Sequence, residues 1–96
     1  VKVSTLSDVA NRLFPTGPID LLKIEAEGYE PEVLAGARSI LPRVERITVD
    51  AGEEREGKST APECVTLLTD QGFRLKKVYL KRGVFYFENP ELIPQN

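Results

Sequence analysis

The chain has 96 residues, room for one small domain, with 13 Lys and Arg against 15 Asp and Glu and a formal net charge of −2. That near-balance speaks against a dedicated nucleic-acid or anionic-membrane binder, and 41% apolar with 29% charged residues suits an ordinary globular protein. With no His and a single Cys, the chain cannot build a Ser-His-Asp triad, a Cys-His dyad, an imidazole metal site or an internal disulfide, and no metal site is expected.

Val1 to Ser4 alternates apolar and polar residues and reads as a short strand. Thr5 opens a helix on the stripe Leu6, Val9, Ala10 and Leu13, with Asp8 supporting its first turn, and Pro15-Thr16-Gly17-Pro18 ends it. Ile19 to Ala26 is a strand with Leu22, Ile24 and Ala26 on one face and Leu21, Lys23, Glu25 and Glu27 on the other. After a turn at Gly28-Tyr29, Glu30 is expected to cap a helix that carries Pro31 in its first turn. Val33, Leu34, Ala37, Ile40 and Leu41 form its apolar face up to Pro42.

Arg46 to Ala51 is the next strand, and residues 52–59 make a charged loop. Thr60 and Glu63 have the spacing of a capping box, followed by Ala61, Cys64, Val65 and Leu68 at helical intervals and by Gly72 as a stop. Phe73 to Leu80 and Val84 to Glu88, joined at Lys81-Arg82-Gly83, read as a hairpin. The tail, residues 89–96, can pack back through Leu92 and Ile93. Alternating strands and helices predict an α/β fold with right-handed parallel crossovers, closed by the antiparallel hairpin. The longest apolar run, Val84 to Phe87, is far too short for a membrane span or signal-peptide core, so no membrane contact and a cytoplasmic setting are expected.

Gly52-Glu53-Glu54-Arg55-Glu56-Gly57-Lys58-Ser59 fits the phosphate-loop pattern G-x-x-x-x-G-K-[ST] between a strand and a helix. Glu53, Glu54 and Glu56 would face a polyanion, however, and Pro62 would fall inside a helix that starts at Gly57-Lys58 and remove a needed N–H. A solvated loop is the better reading, with nucleotide binding the alternative. The hairpin mixes Arg74, Lys76, Lys77, Lys81 and Arg82 with aromatic residues, a blend that binds single strands of nucleic acid in other proteins. Lysines on an outer strand more often guard against aggregation, and no nucleic-acid partner is expected.

The segment Lys23-Ile24-Glu25-Ala26-Glu27-Gly28 is richer in chemistry. In open α/β sheets, ligands sit beyond the carboxyl ends of parallel strands, where Glu25 and Glu27 would stand with Lys23 on the same face. Such carboxylates can take a proton from a hydroxyl or hold a cationic ligand; the competing reading is a structural Lys–Glu pair, with Glu27 capping the turn behind it.

Ile19-Asp20-Leu21-Leu22-Lys23-Ile24-Glu25-Ala26-Glu27-Gly28-Tyr29-Glu30, followed by Val33-Leu34-Ala35-Gly36-Ala37, resembles the FkbM-type S-adenosylmethionine-dependent methyltransferases. That family shows I-D-x-L-K-I-D-x-E-G, an acidic residue, then V-L-x-G-A. Thr5-Leu6-Ser7-Asp8 is similar to its T-L-D-D segment, and Arg46 to Asp50 stands where the family has a strand ending in an acid. Glu25 departs from the usual Asp by one methylene.

The resemblance implies the carboxyl-terminal half of a class I methyltransferase-like, Rossmann-like sandwich over residues 1–96. The family's Gly-rich cofactor loop would lie upstream, so residues that hold the cofactor are not assigned and the segment alone is expected to be inactive. The absence of Met fits a segment of a longer protein. The implied reaction moves a methyl group from S-adenosylmethionine to a hydroxyl of a sugar or natural-product-like small molecule. Glu25 is the first choice for orienting cofactor or acceptor or taking the hydroxyl proton, Glu27 the second, and Lys23 sets their charge. A non-catalytic α/β interaction module is the other alternative. The strand Ile19–Ala26 is expected at a sheet edge, either self-associating there or covered by Val1 to Ser4.

Overall fold

A computed structural model of the chain describes residues 12–13, 16–25, 29–51, 60–79 and 81–94. The element order is β1 (Ile19–Glu25), α1 (Glu30–Gly36), a 3-10 turn (Leu41–Arg43), β2 (Val44–Asp50), α2 (Ala61–Asp70), β3 (Arg74–Tyr79) and β4 (Val84–Glu88). The strands form a mixed 4-stranded sheet in the order β1-β2-β4-β3. β1 and β2 are parallel across the α1 crossover, and β4 lies antiparallel between β2 and β3, so the expected alternation and closing hairpin are present. The strand expected at Val1–Ser4, most of the first helix, Ala26, Glu27 and the loop 52–59 lie outside the described residues; Arg12 and Leu13 are helical.

Register assigns the faces. Leu22 pairs with Ile47 and Ile24 with Val49 in the parallel pair, and Ile47 and Val49 pair with Phe87 and Phe85 across the antiparallel one. Ile24, Ile47, Val49 and Phe87 are buried with Leu34, Ala37, Ile40, Leu41, Cys64, Leu68 and Phe73 in one core. Both helices therefore cover the same face and pack on each other. The opposite face carries Leu21, Lys23 and Glu25 on β1, Arg46, Thr48 and Asp50 on β2, and Val84, Tyr86 and Glu88 on β4. No described helix covers it.

Three local expectations need correction. The apolar face expected to run to Leu41 in one helix is divided, because α1 ends at Gly36 and turns follow. Gly in a helix interior costs about 1 kcal/mol relative to Ala, and Pro42, which has no N–H, sits in the 3-10 turn that Leu41 begins instead of extending a helix. The division keeps Leu34, Ala37, Ile40 and Leu41 in the core.

Glu30 does not cap α1: Tyr29 holds that position and Glu30 is the first helical residue, fully buried. The Thr60–Glu63 capping box does not form either. Thr60 stands at the N-cap of α2 without a side-chain cap bond, and its hydroxyl donates instead to Glu30 Oε1 at 2.8 Å. A buried carboxylate gains more from a charge-assisted hydrogen bond than an exposed helix N–H gains from a neutral one.

α2 ends in a left-handed cap. Gly72, at φ 94°, donates to the Thr69 carbonyl at 3.0 Å and Phe73 to the Leu68 carbonyl at 3.0 Å, with Phe73 and Leu68 both buried. Behind β4, Asn89 fastens the tail to the sheet. Its Nδ2 donates to the Val44 carbonyl at 3.0 Å, its backbone N–H to the Glu45 carbonyl at 2.9 Å, and its Oδ1 accepts from Glu91 N at 3.0 Å. Ile93 is half-buried, and the more exposed Leu92 lines a shallow hollow with Pro18, Pro42 and Arg43.

The two edges of the described sheet differ. β3 carries Arg74, Lys76 and Lys77 and a register shift between Leu75 and Lys77, features that discourage a further strand. β1 has neither a bulge nor Pro, and Leu21 is 54% exposed on it. Among the described residues, no helix is long and apolar enough to cross a membrane.

Candidate functional site

β1 and β2 run in the same direction and end together, at Glu25 and Asp50. These two acids are register partners on the uncovered face, on strands that lie about 4.8 Å apart in such sheets. Lys23 is on the same face one pair further in, opposite Thr48. Among the described residues Lys23 makes no salt bridge to Glu25, and a pairing with Glu27 falls outside them. Glu25 and Lys23 are exposed and Asp50 is half-buried. Glu27 lies outside the described residues.

The hairpin brings its turn to this same edge. Asp50 pairs with Val84 and Val84 with Tyr79, and Ala51 N–H donates to the Gly83 carbonyl at 2.8 Å. Beside Asp50, an open hollow of about 490 Å³ lies between Thr48, Lys76, Lys77, Tyr79, Val84, Tyr86 and Glu88. Tyr86 Oη donates to Glu88 Oε2 at 2.8 Å. Desolvation, and then the Glu88 carboxylate, push the Tyr86 phenol above its ordinary value, with Arg46 opposing. This phenol is held protonated and directed at Glu88.

On the covered side of the same edge, Glu30 and Thr60 join the starts of the two helices, with Cys64 one turn into α2. Burial raises the Cys64 thiol from 9.0 to about 11, the charge of Glu30 adds to that rise, and the Thr60 hydrogen bond opposes it. Sequence reasoning did not place Asp50, Glu30 or Thr60 in a site. Asp50 is detectable as the last residue of a strand parallel to the one ending in Glu25, but its pairing with Glu25 needs the register.

The phosphate-loop alternative fares worse. Gly52–Ser59 lies outside the described residues, but α2 begins at Ala61 with Pro62 in its first turn, after Lys58 and not at it. A helix starting there does not offer its first N–H groups to a phosphate held by Gly57-Lys58.

Paired carboxylates at the ends of β1 and β2 have the chemistry to hold a cationic ligand. No curated protein and no solved structure matches the chain. The family model described as the methyltransferase FkbM domain matches residues 1–75, more than half of the 96. With a mixed α/β sheet, its crossover and its antiparallel close already in place, the chain belongs to the FkbM methyltransferase family.

Proposed function

We propose that the carboxyl edge of β1 and β2 forms part of the site of an S-adenosylmethionine-dependent O-methyltransferase acting on a hydroxyl of a sugar or natural-product-like small molecule. The observation that carries this reading is the pairing of Glu25 with Asp50 at the ends of two parallel strands, on one face, in a chain of this family. When bound, S-adenosylmethionine supplies an electrophilic methyl group. The chain's own carboxylates orient the acceptor hydroxyl and take up its proton at Glu25, with Asp50 beside Glu25 and Glu27 the second choice for that role. Lys23, on the same face, moderates the negative field of these acids.

Among the described strands β1 stands at the edge of the sheet, which supports placing this segment in a longer methyltransferase, where β1 is an interior strand and the segment alone does not turn over. Methyl transfer from S-adenosylmethionine to a panel of sugar and natural-product hydroxyls, measured on the full-length protein, tests the assignment. Glu25→Gln is expected to lower kcat by roughly 100-fold. Unchanged rates in Glu25→Gln, Glu27→Gln and Asp50→Asn alike would overturn it, and tight ATP binding that depends on Lys58 would favour the nucleotide reading instead.

A further inference from the structure

β3 breaks its alternation at one place. Leu75 pairs with Phe87 and Lys77 with Tyr86, so the register shift between them leaves Lys76 as an extra residue opposite β4. In an unbroken strand Lys76 and Lys77 would point to opposite faces; with the bulge, both line the open hollow beside Asp50. Neighbouring lysines gathered on one side repel each other, and guarding an edge requires only that charge lie along it.

The surroundings of the hollow have the same sign. Residues 71–87 include Arg74, Lys76, Lys77, Lys81 and Arg82 and no acid, in a chain of net charge −2. Glu88, the one acid on the lining, accepts from Tyr86 Oη at 2.8 Å and is the register partner of Arg46 on one side and Arg74 on the other. Lys77 makes no salt bridge among the described residues. Tyr79, Tyr86 and Val84 add an apolar, ring-bearing surface of the kind that takes the flat side of a small molecule. On β2 this face shows Arg46, Thr48 and Asp50 where the covered face has Ile47 and Val49, so it suits a polar ligand better than a layer of helices.

The hollow runs into the Glu25–Asp50 corner, because Val84 on its lining is the register partner of Asp50. Lys77 stands two strands from Asp50 and two residues back along β3 from Tyr79, roughly 10 Å across the sheet and 7 Å along it. With side chains reaching in from both ends, that span is on the scale of a phosphorylated monosaccharide.

We propose that this hollow binds a sugar carrying a phosphate group: Lys76 and Lys77 hold the phosphate, Tyr79 and Tyr86 take the ring, and a ring hydroxyl is directed to the Glu25–Asp50 pair. That such a compound is the methyl acceptor rests on the functional reading above; its binding does not.

Chemical-shift titrations of the chain with glucose 1-phosphate, glucose, inorganic phosphate and a single-stranded DNA oligonucleotide test it. Glucose 1-phosphate is expected to shift the amides of residues 76–79 and 84–88, and to bind roughly tenfold or more tightly than glucose or inorganic phosphate. Uridine diphosphate glucose, added in parallel, separates a nucleotide-linked sugar from a free sugar phosphate by which of the two binds more tightly. Lys76→Gln and Lys77→Gln are each expected to weaken binding roughly tenfold, and Lys81→Gln, outside the hollow, by no more than about twofold. All three lysines are exposed, so the thermal midpoint should stay unchanged and a lost signal reports on binding.

Equal binding of glucose and glucose 1-phosphate would overturn the proposal, as would inorganic phosphate binding as tightly as the sugar phosphate, which marks a bare anion site. Equal losses in Lys77→Gln and Lys81→Gln would reduce the hollow to diffuse surface charge, and the oligonucleotide as the tightest ligand would make the face a nucleic-acid surface; either result sinks it. Binding of glucose 1-phosphate at the hollow, with no methyl transfer by the full-length protein, would defeat the functional reading and leave this one standing.

Discussion

Phe87 occupies the centre of the sheet, opposite Ile47 on β2 and Leu75 on β3, with no exposed surface. Its neighbour Tyr86 points to the uncovered face, half-buried, with its hydroxyl on Glu88. Alternation along β4 thus places two aromatic residues, adjacent in sequence, in opposite environments. Phe87→Ala removes a fully buried ring from a core that closes around it only in part, a loss of about 3–5 kcal/mol. A domain of this size is stable by roughly 5–15 kcal/mol, and its midpoint moves by about 4–8 °C per kcal/mol. The variant should therefore melt at least roughly 12 °C lower by circular dichroism, or be unfolded at 25 °C. Tyr86→Phe, which deletes only a solvent-facing hydrogen bond, should lose less than about 1 kcal/mol. A Phe87→Ala loss no greater than that of Tyr86→Phe would refute the register.

Asn89→Ala removes the side-chain bonds to Val44 and Glu91 and leaves the buried Val44 carbonyl short of a donor, so a loss of about 1–3 kcal/mol in urea denaturation is expected, with the amides of residues 91–93 gaining exchange. The raised Cys64 thiol predicts a pH dependence: it is still protonated in the folded chain where the unfolded chain has begun to ionise near 9.0. Its contribution is full below that value and is lost as pH rises toward about 11, a change on the order of 3 kcal/mol that Cys64→Ala should abolish. At the β1 edge, burying the exposed half of Leu21 contributes about 1 kcal/mol per copy, so the 96-residue chain is expected to self-associate through β1 and Leu21→Lys to weaken that by roughly 30-fold in sedimentation velocity. A concentration-independent monomer would refute this.

What the sequence disclosed was whatever repeats locally. The alternation in Ile19–Glu25 and Val84–Glu88, the spacing of Cys64, Val65 and Leu68, and the stop at Gly72 each report on neighbours a few residues away, and each is found. The shortened α1 was hidden because the apolar positions Leu34, Ala37, Ile40 and Leu41 fit a helix, whereas Gly36 and Pro42 favour a turn that buries the same side chains. Thr60 and Glu63 had the local form of a capping box, but the stronger claim on Thr60 came from Glu30, far off in sequence. Similarly, Glu25 was legible as a strand-end acid, and its partner Asp50 became so only once the two strands were set side by side.

The unlike edges of the sheet give the ladder a direction of growth. Among the described residues no strand pairs with the outer side of β1, whereas the far side ends at the bulge and the lysines of β3. Addition at β1 is thus a terminating event: two copies meeting edge to edge would turn only closed sides outward and leave no template for a third. A pair formed in that way would halt growth at two copies, well short of a fibril.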